Sequence, residues 1–234
     1  MQYHSDHRPD LQALLTQKLV WNLRQDAPTV LIVHTHATET YTQEEITYSG
    51  HYRTLDTEYN MVSLGKELAR VLRQGGISVI HDTTLHDHPD YSGAYDATRK
   101  TIEGYLQKYP SITMVLDLHR DAAQTTSGQM VTSATVGGQK SAQLMMVVGT
   151  DGYGNYHPDW QENLSVALKL TALLEQTNPG ISRPIDLRAE RFNMDLRNGS
   201  LLVEVGAAGN THQEAMIAVN ALAQSILQLS QGSG

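Results

Sequence analysis

Five short apolar runs punctuate the chain: VLIV at Val30–Val33, ISVI at Ile77–Ile80, ITMVLDL at Ile112–Leu118, LMMVV at Leu144–Val148 and LLVEV at Leu201–Val205. Runs that are this short and nearly continuous read as strands buried on both faces. The segments between them repeat on a helical period. Glu58 to Leu72 carries Met61, Val62, Leu64, Leu68, Val71 and Leu72 on one stripe, and Gly75-Gly76 follows as a stop. Helices are also predicted over Leu11 to Leu23, Ala94 to Leu106, Trp160 to Gln176 and His212 to Leu229. Neighbouring parallel strands need long crossovers, and helices supply them. The pattern therefore predicts a three-layer α/β fold, a mostly parallel twisted sheet with helices on both faces. The Gly/Thr/Ser-rich stretch from Arg120 to Gly138 reads as a hairpin, and the segment with Pro179, Gly180 and Pro184 as a loop. A chain of 234 residues suits one large domain. The expected division is a helical extension or linker over 1–27, a catalytic domain over 28–229 and a flexible tail over 230–234.

Composition removes several function classes. A net charge of −8 with no basic run argues against a nucleic-acid partner, which needs clustered Lys and Arg. The absence of cysteine excludes disulfides and thiolate metal sites, so any metal must be held by His, Asp, Glu and water. No apolar run reaches the roughly 18 residues of a membrane span, and the first residues lack a signal-peptide pattern.

In parallel sheets, ligands bind outside the carboxyl ends of the strands. Three strand ends carry chemistry there: His34-Thr35-His36, Asp117-Leu118-His119-Arg120-Asp121, and Glu204 within LLVEVGAAGN. Two histidines, a carboxylate and an open position for water match catalytic zinc, and a further carboxylate can act as general base. A single histidine is more often a surface or hydrogen-bonded residue than a ligand. His36 and His119 stand apart because each closely follows a strand of the same sheet. The cluster Asp82, His86, Asp87, His88 and Asp90 in HDTTLHDHPD reads as a rim or substrate lip rather than a metal site.

HTHATETY at His34–Tyr41, Glu58-Tyr59-Asn60, DLHRD at Asp117–Asp121, and LVEVG at Leu202–Gly206 with Asn210 together resemble the stage II sporulation protein P family. The resemblance runs from about residue 28 to 229. It implies an amidase/phosphorylase–hydrolase-like fold and membership of the zinc-dependent N-acetylmuramoyl-L-alanine amidases. Such proteins cut the amide between N-acetylmuramic acid and the L-alanine of the peptidoglycan stem peptide, and some cut peptide cross-links. They act outside the cytoplasm during engulfment in endospore formation, held by an amino-terminal membrane anchor that this stretch does not contain. Their substrates are glycan strands and stem peptides, and cooperation with a sporulation lytic transglycosylase, stage II sporulation protein D, is implied.

Carried over by position, the resemblance makes His36 and His119 zinc ligands and Glu204 the catalytic glutamate. Glu58, opening a helix as in the wider amidase pattern, is favoured as the carboxylate ligand. Glu39 is the alternative ligand, or a partner that orients a histidine. Arg120 either binds a substrate carboxylate or pairs with Asp121 or Asp117. His34 and His36 are expected to point the same way, with only the later one reaching the open edge. A zinc carboxypeptidase-like peptidase would use the same residue set on a free peptide terminus. A non-catalytic wall-binding module would keep the groove without turnover.

Overall fold

The apolar runs become the strands of one sheet. The computed structural model describes residues 1–19, 21–42, 52–126 and 128–231. Its elements are β1 (Gln2–His4), α1 (Leu11–Thr16), β2 (Val30–Val33), α2 (Met61–Gln74), β3 (Val79–His81), α3 (Ala94–Lys108), β4 (Met114–Asp121), β5 (Gln124–Thr125), β6 (Gly128–Gln129), β7 (Ala134–Val136) and β8 (Gln139–Ser141). They continue with β9 (Leu144–Gly149), α4 (Trp160–Thr177), β10 (Asp186–Arg188), a 3-10 turn at Met194–Leu196, β11 (Ser200–Ala207) and α5 (His212–Gln231). The main sheet has the order β1-β10-β9-β11-β4-β2-β3. Its neighbours pair parallel, except that β9 runs antiparallel to β11.

Alternation along the strands sorts side chains between two faces. Val30, Ile32, Leu116, Leu118, Val203 and Val205 point to the face covered by α2, α4 and α5, where they meet Met61, Leu64, Leu68, Leu164 and Leu222. Leu31, Val33 and Val115 point the other way, onto Ile102 of α3. Farther along this second face, Met145, Val147 and Leu202 pack with Met194. The sheet thus has helices on both faces, as its pattern predicts. The α3 face is the one that holds the functional groups.

The observed boundaries differ from the predicted ones in instructive places. The helix predicted from Glu58 begins at Met61, because the Asn60 side chain accepts from Val62 N at 3.0 Å and caps it there. The first 27 residues supply the edge strand β1, paired with β10, and the short helix α1, whose Leu14 is buried. Leu23, beyond the observed end of α1, also enters the core. Strand β10 lies where a loop was predicted, since three residues are too few to show a period. Ser230 and Gln231 of the expected tail belong to α5, and 232–234 lie outside the described residues. The stretch predicted as one hairpin contains β5–β6 and continues into β7–β8, with Ser127 outside the described residues.

Candidate active site

His119 and Glu204 are register partners on the neighbouring strands β4 and β11. Both face α3, as does Asp117 two residues before His119. The polar positions in LDLH and LVEV fall on one face while their apolar neighbours go to the α2 side. Buried carboxylates and imidazoles gathered this way are costly unless they serve one another or a ligand.

The Asp117 carboxylate accepts from Thr35 N at 2.8 Å and from Thr35 Oγ1 at 2.5 Å, which fastens the end of β2 to β4. Its Oδ1 lies 3.1 Å from His119 Nε2, a charge contact without hydrogen-bond alignment. Glu39 Oε2 lies 3.7 Å from His119 Nδ1 on the other side of the ring. Burial opposes a charge on His119, but the Asp117, Glu39 and Glu204 carboxylates outweigh it and raise its pKa to about 9. Burial, reinforced by Glu39 and Asp121, pushes Glu204 up to about 8 against the pull of His119 and Arg120. A carboxyl held near neutrality is suited to exchanging protons.

His36 stands over these groups. Its ring meets His119 edge to face, with centroids 5.3 Å apart, and stacks on Tyr91 at 4.5 Å. Nδ1 of His36, Nε2 of His119 and Oε2 of Glu204 are enclosed without hydrogen-bond partners. All three residues line one cavity of about 370 Å³ together with Glu39, Tyr95 and Arg120. A second cavity of about 530 Å³ shares Tyr91, Arg120 and Ala122 with it and adds Arg53, Asp87, Gln124 and Gln129. Among the described residues no three His, Asp or Glu side chains form a ready metal-ligand cluster. The orphaned nitrogen and oxygen atoms nevertheless have the donor chemistry that zinc accepts.

The structure does not bring Glu58 to this cavity. The helix starts later than predicted, so Glu58 lies in the preceding turn, with a side chain 70% exposed and its Oε1 3.4 Å from Lys66 Nζ. Glu39 occupies the interior instead, buried beside His119, with Arg53 at 3.6 Å and Arg120 at 3.9 Å from its Oε1. Arg120 pairs with neither Asp121 nor Asp117. Its Nε donates to Thr40 O and a terminal nitrogen to Tyr52 O, both at 3.1 Å, while its backbone N donates to Glu39 Oε2 at 3.2 Å. That geometry makes Arg120 a brace for the Glu39 segment.

His34 and His36 do not point the same way, because β2 ends at Val33 and the chain turns through 35–38, which breaks the alternation. His34 goes to the α2 side. There its Nε2 lies 2.9 Å from His81 Nε2, and a Cβ on Gly65 would collide with both imidazoles. Burial lowers the pKa of His34 to about 3 and that of His81 to about 4, so the pair is neutral. The HDTTLHDHPD segment also acts as support. His86 Nδ1 donates to His34 O at 2.9 Å, and Asp87 accepts from Thr38 Oγ1 and Arg53, each at 2.6 Å. Asp87 lines the second cavity, at its rim.

The sequence singles out Asp117 only within its motif and as a partner for Arg120, and the structure sets it against His119 and Thr35 instead. A residue of the cavity escaped the sequence reading. It is Tyr95, whose ring lies edge-on to His36 at 5.5 Å and stacks against His119 at 6.4 Å. Asn193 Nδ2 donates to Tyr95 O at 2.8 Å, and the Phe192 ring packs on Tyr95 at 5.8 Å. Phe192 and Asn193 both have left-handed backbones, with φ of 50° and 59°. Tyr91 in the turn before α3 and Tyr95 in its first turn both reach the cavity.

The end of β11 is fixed by its own sequence. Gly206 has φ +69, and a Cβ there would stand 2.7 Å from Ala142 Cβ. Tyr41 OH donates to Val205 O at 2.6 Å, and Asn210 Oδ1 accepts from Ala207 N at 3.0 Å.

A sequence model described as stage II sporulation protein P matches residues 2–227. A relative described as stage II sporulation protein P, from Bacillus subtilis (strain 168), is 26% identical over 209 residues, covering 85% of this chain and 50% of the relative. The chain therefore spans about half the length of that protein. The CwlD amidase from Clostridioides difficile, solved in complex with the GerS lipoprotein, superposes with a TM-score of 0.53 at 13% identity, over 89% of this chain and 100% of that one. The catalytic domain of CwlV, an N-acetylmuramoyl-L-alanine amidase from Bacillus (Paenibacillus) polymyxa var. colistinus, gives 0.53 at 10% identity, over 87% and 98% of the two chains. These two likenesses show a shared fold.

Proposed function

Because the chain belongs to the stage II sporulation protein P family, we propose that it is a zinc-dependent peptidoglycan hydrolase cutting the amide between N-acetylmuramic acid and L-alanine. The observation that carries this reading is the registered pair His119 and Glu204, set under His36 with enclosed, unpartnered nitrogen and oxygen atoms in one cavity. His36, His119 and Glu39 would hold the metal. Zinc supplies a Lewis acid that acidifies water and polarises a carbonyl.

The remaining steps belong to the chain's own residues. Glu204 removes a proton from the attacking water, whose oxygen adds to the lactyl carbonyl carbon. As the carbon–nitrogen bond breaks, Glu204 returns the proton to the departing L-alanine nitrogen. Asp117 holds the end of β2 through Thr35 and flanks His119, and Arg120 and Arg53 fix Glu39. Tyr91 and Tyr95 wall His36 and limit its ring rotation. The place of action is outside the cytoplasm, in contact with the wall. Among the described residues no helix is long and apolar enough to cross a membrane. Cooperation with stage II sporulation protein D, and cleavage of cross-links, are extensions of the same proposal.

Mass spectrometry of products from zinc-loaded protein and defined muropeptides tests the bond assignment. Release of intact stem peptide with a free L-alanine amine is expected, and cleavage confined to a peptide terminus would replace the amidase reading with a carboxypeptidase one. The carboxylate ligand has its own test. Glu39→Ala should lower zinc affinity by roughly 10- to 100-fold or more, as loss of a metal contact or its immediate support does. Glu58→Ala should leave it within about twofold, since that side chain stands in solvent. Competition with a chromogenic chelator measures both, and the reverse ranking would return the ligand to Glu58.

A further inference from the structure

The cavity continues past the histidines. Beyond the apolar floor of Met145, Val147 and Leu202, its lining includes Arg183 and Arg188. Arg188 is committed, donating twice to Glu190 at 3.1 Å and lying 3.7 Å from Asp186. Arg183 is placed differently. One terminal nitrogen donates to Asp121 Oδ2 at 2.7 Å, while its Nε and its other terminal nitrogen bond no described residue. The side chain is only 18% exposed, so these donors open on the cavity.

Its backbone is fixed too, because Arg183 N donates to Leu144 O at 2.8 Å and Ser182 bridges to Leu144. Asp121 is itself oriented, accepting from Ala123 N at 2.8 Å. A guanidinium anchored at one corner by Asp121, with the rest of its planar fork facing the cavity, is arranged to take a carboxylate.

The position along the groove says which carboxylate. Asp121 follows His119 by two residues on the same strand and face, which sets it about 6.6 Å farther along. An extended peptide advances about 3.5 Å per residue. A substrate with its scissile amide at His119 and Glu204 therefore brings its second residue toward Arg183. In a peptidoglycan stem that residue is a γ-linked D-glutamate, whose α-carboxyl is free in some walls and amidated in others.

We infer that Arg183 is a specificity-determining residue that binds this free α-carboxylate, so that the enzyme prefers D-glutamate stems over D-isoglutamine stems. The inference rests on the hydrolase reading given above.

The test uses zinc-loaded protein and two synthetic substrates, N-acetylmuramoyl-L-alanyl-γ-D-glutamyl-L-lysinamide and its α-amide, which differ only at the D-glutamate α-carboxyl. The wild type should favour the acid by about 10- to 100-fold in kcat/KM, the usual value of a charge-assisted pair. In Arg183→Gln this ratio should collapse toward one, with the loss on the acid substrate appearing in KM. Arg183→Lys, which keeps a cation for Asp121 but loses the fork, should fall between and controls for misfolding of the Asp121 contact. Equal use of both substrates by the wild type, or an unchanged ratio in Arg183→Gln, would overturn the inference. Should the wild type cleave neither substrate, the hydrolase reading fails separately, and calorimetry decides the question at Arg183. The Glu204→Gln protein with zinc should then bind the γ-linked acid substrate more tightly than its α-amide by a similar factor, and equal affinities would end the proposal.

Discussion

Glu204→Gln should lower turnover by roughly 10²–10⁴-fold, the usual contribution of a positioned general base. Zinc content and fold should be retained. Glutamine keeps the shape and the hydrogen-bonding reach of the side chain but cannot carry a proton from water to the leaving nitrogen. Burial raises the pKa of Glu204 to about 8, so a neutral glutamine suits the same enclosed position. The loss should therefore appear in kcat and hardly in KM, because the missing interaction belongs to the transition state. Steady-state kinetics on a soluble muropeptide, with metal analysis of the same sample, reads both. A variant at near wild-type rate would remove Glu204 from the chemistry, and one that loses its zinc would make it a ligand.

His119→Ala should reduce zinc from near one per chain to a small fraction and abolish activity with it. His36→Ala should do the same. His34→Ala should keep most of the metal, because that ring is turned to His81 on the opposite face of the sheet. The wild-type affinity should also depend on pH with a definite sign. In the metal-free protein the surrounding carboxylates raise His119 to about 9 despite its burial, so below that pH the ring is an imidazolium and zinc must displace its proton. Apparent affinity should rise by about tenfold per pH unit as pH increases toward 9, then level off. Chelator competition between pH 6.5 and 9 measures the slope, and a flat profile would show that zinc displaces no proton from His119 in this range.

The half of the molecule that holds the candidate site was legible because strand ends and polar side chains coincide there. Val30–Val33 is buried along its whole length and reads as a strand with no ambiguity. The sequence puts His119 and Glu204 at strand ends that open on one edge, and the register of β4 against β11 sets them side by side. Glu58 lies away from the cavity for a local reason. The sequence shows a helical stripe but not where the cap falls, and Asn60 closes the helix one turn too late for Glu58 to join it. Arg120 was ambiguous because a guanidinium next to two carboxylates in sequence need not meet either in space. Here it meets the carbonyls of Thr40 and Tyr52 across the fold. Tyr95 and Arg183 were not foreseen because their roles depend on what a helix and a short edge strand are packed against. The strands β1 and β10, three residues each, are ordered by their partners more than by their own pattern.

The reversal between β11 and β9 divides the labour of the groove. On the β3, β2, β4 and β11 side, the catalytic edge is made of chain leaving its strands, and the residues there are locked to the core by the strand that carries them. On the β9, β10 and β1 side, the same edge is made of chain arriving, through the hairpins that precede β9 and the 178–185 connection that carries Arg183 toward β10. Arriving segments can lengthen, shorten or change charge without shifting the register of His119 against Glu204. A fold built this way can diversify what it recognises on one half while its chemistry stays fixed on the other, and substrate range among relatives should vary with the inbound connections.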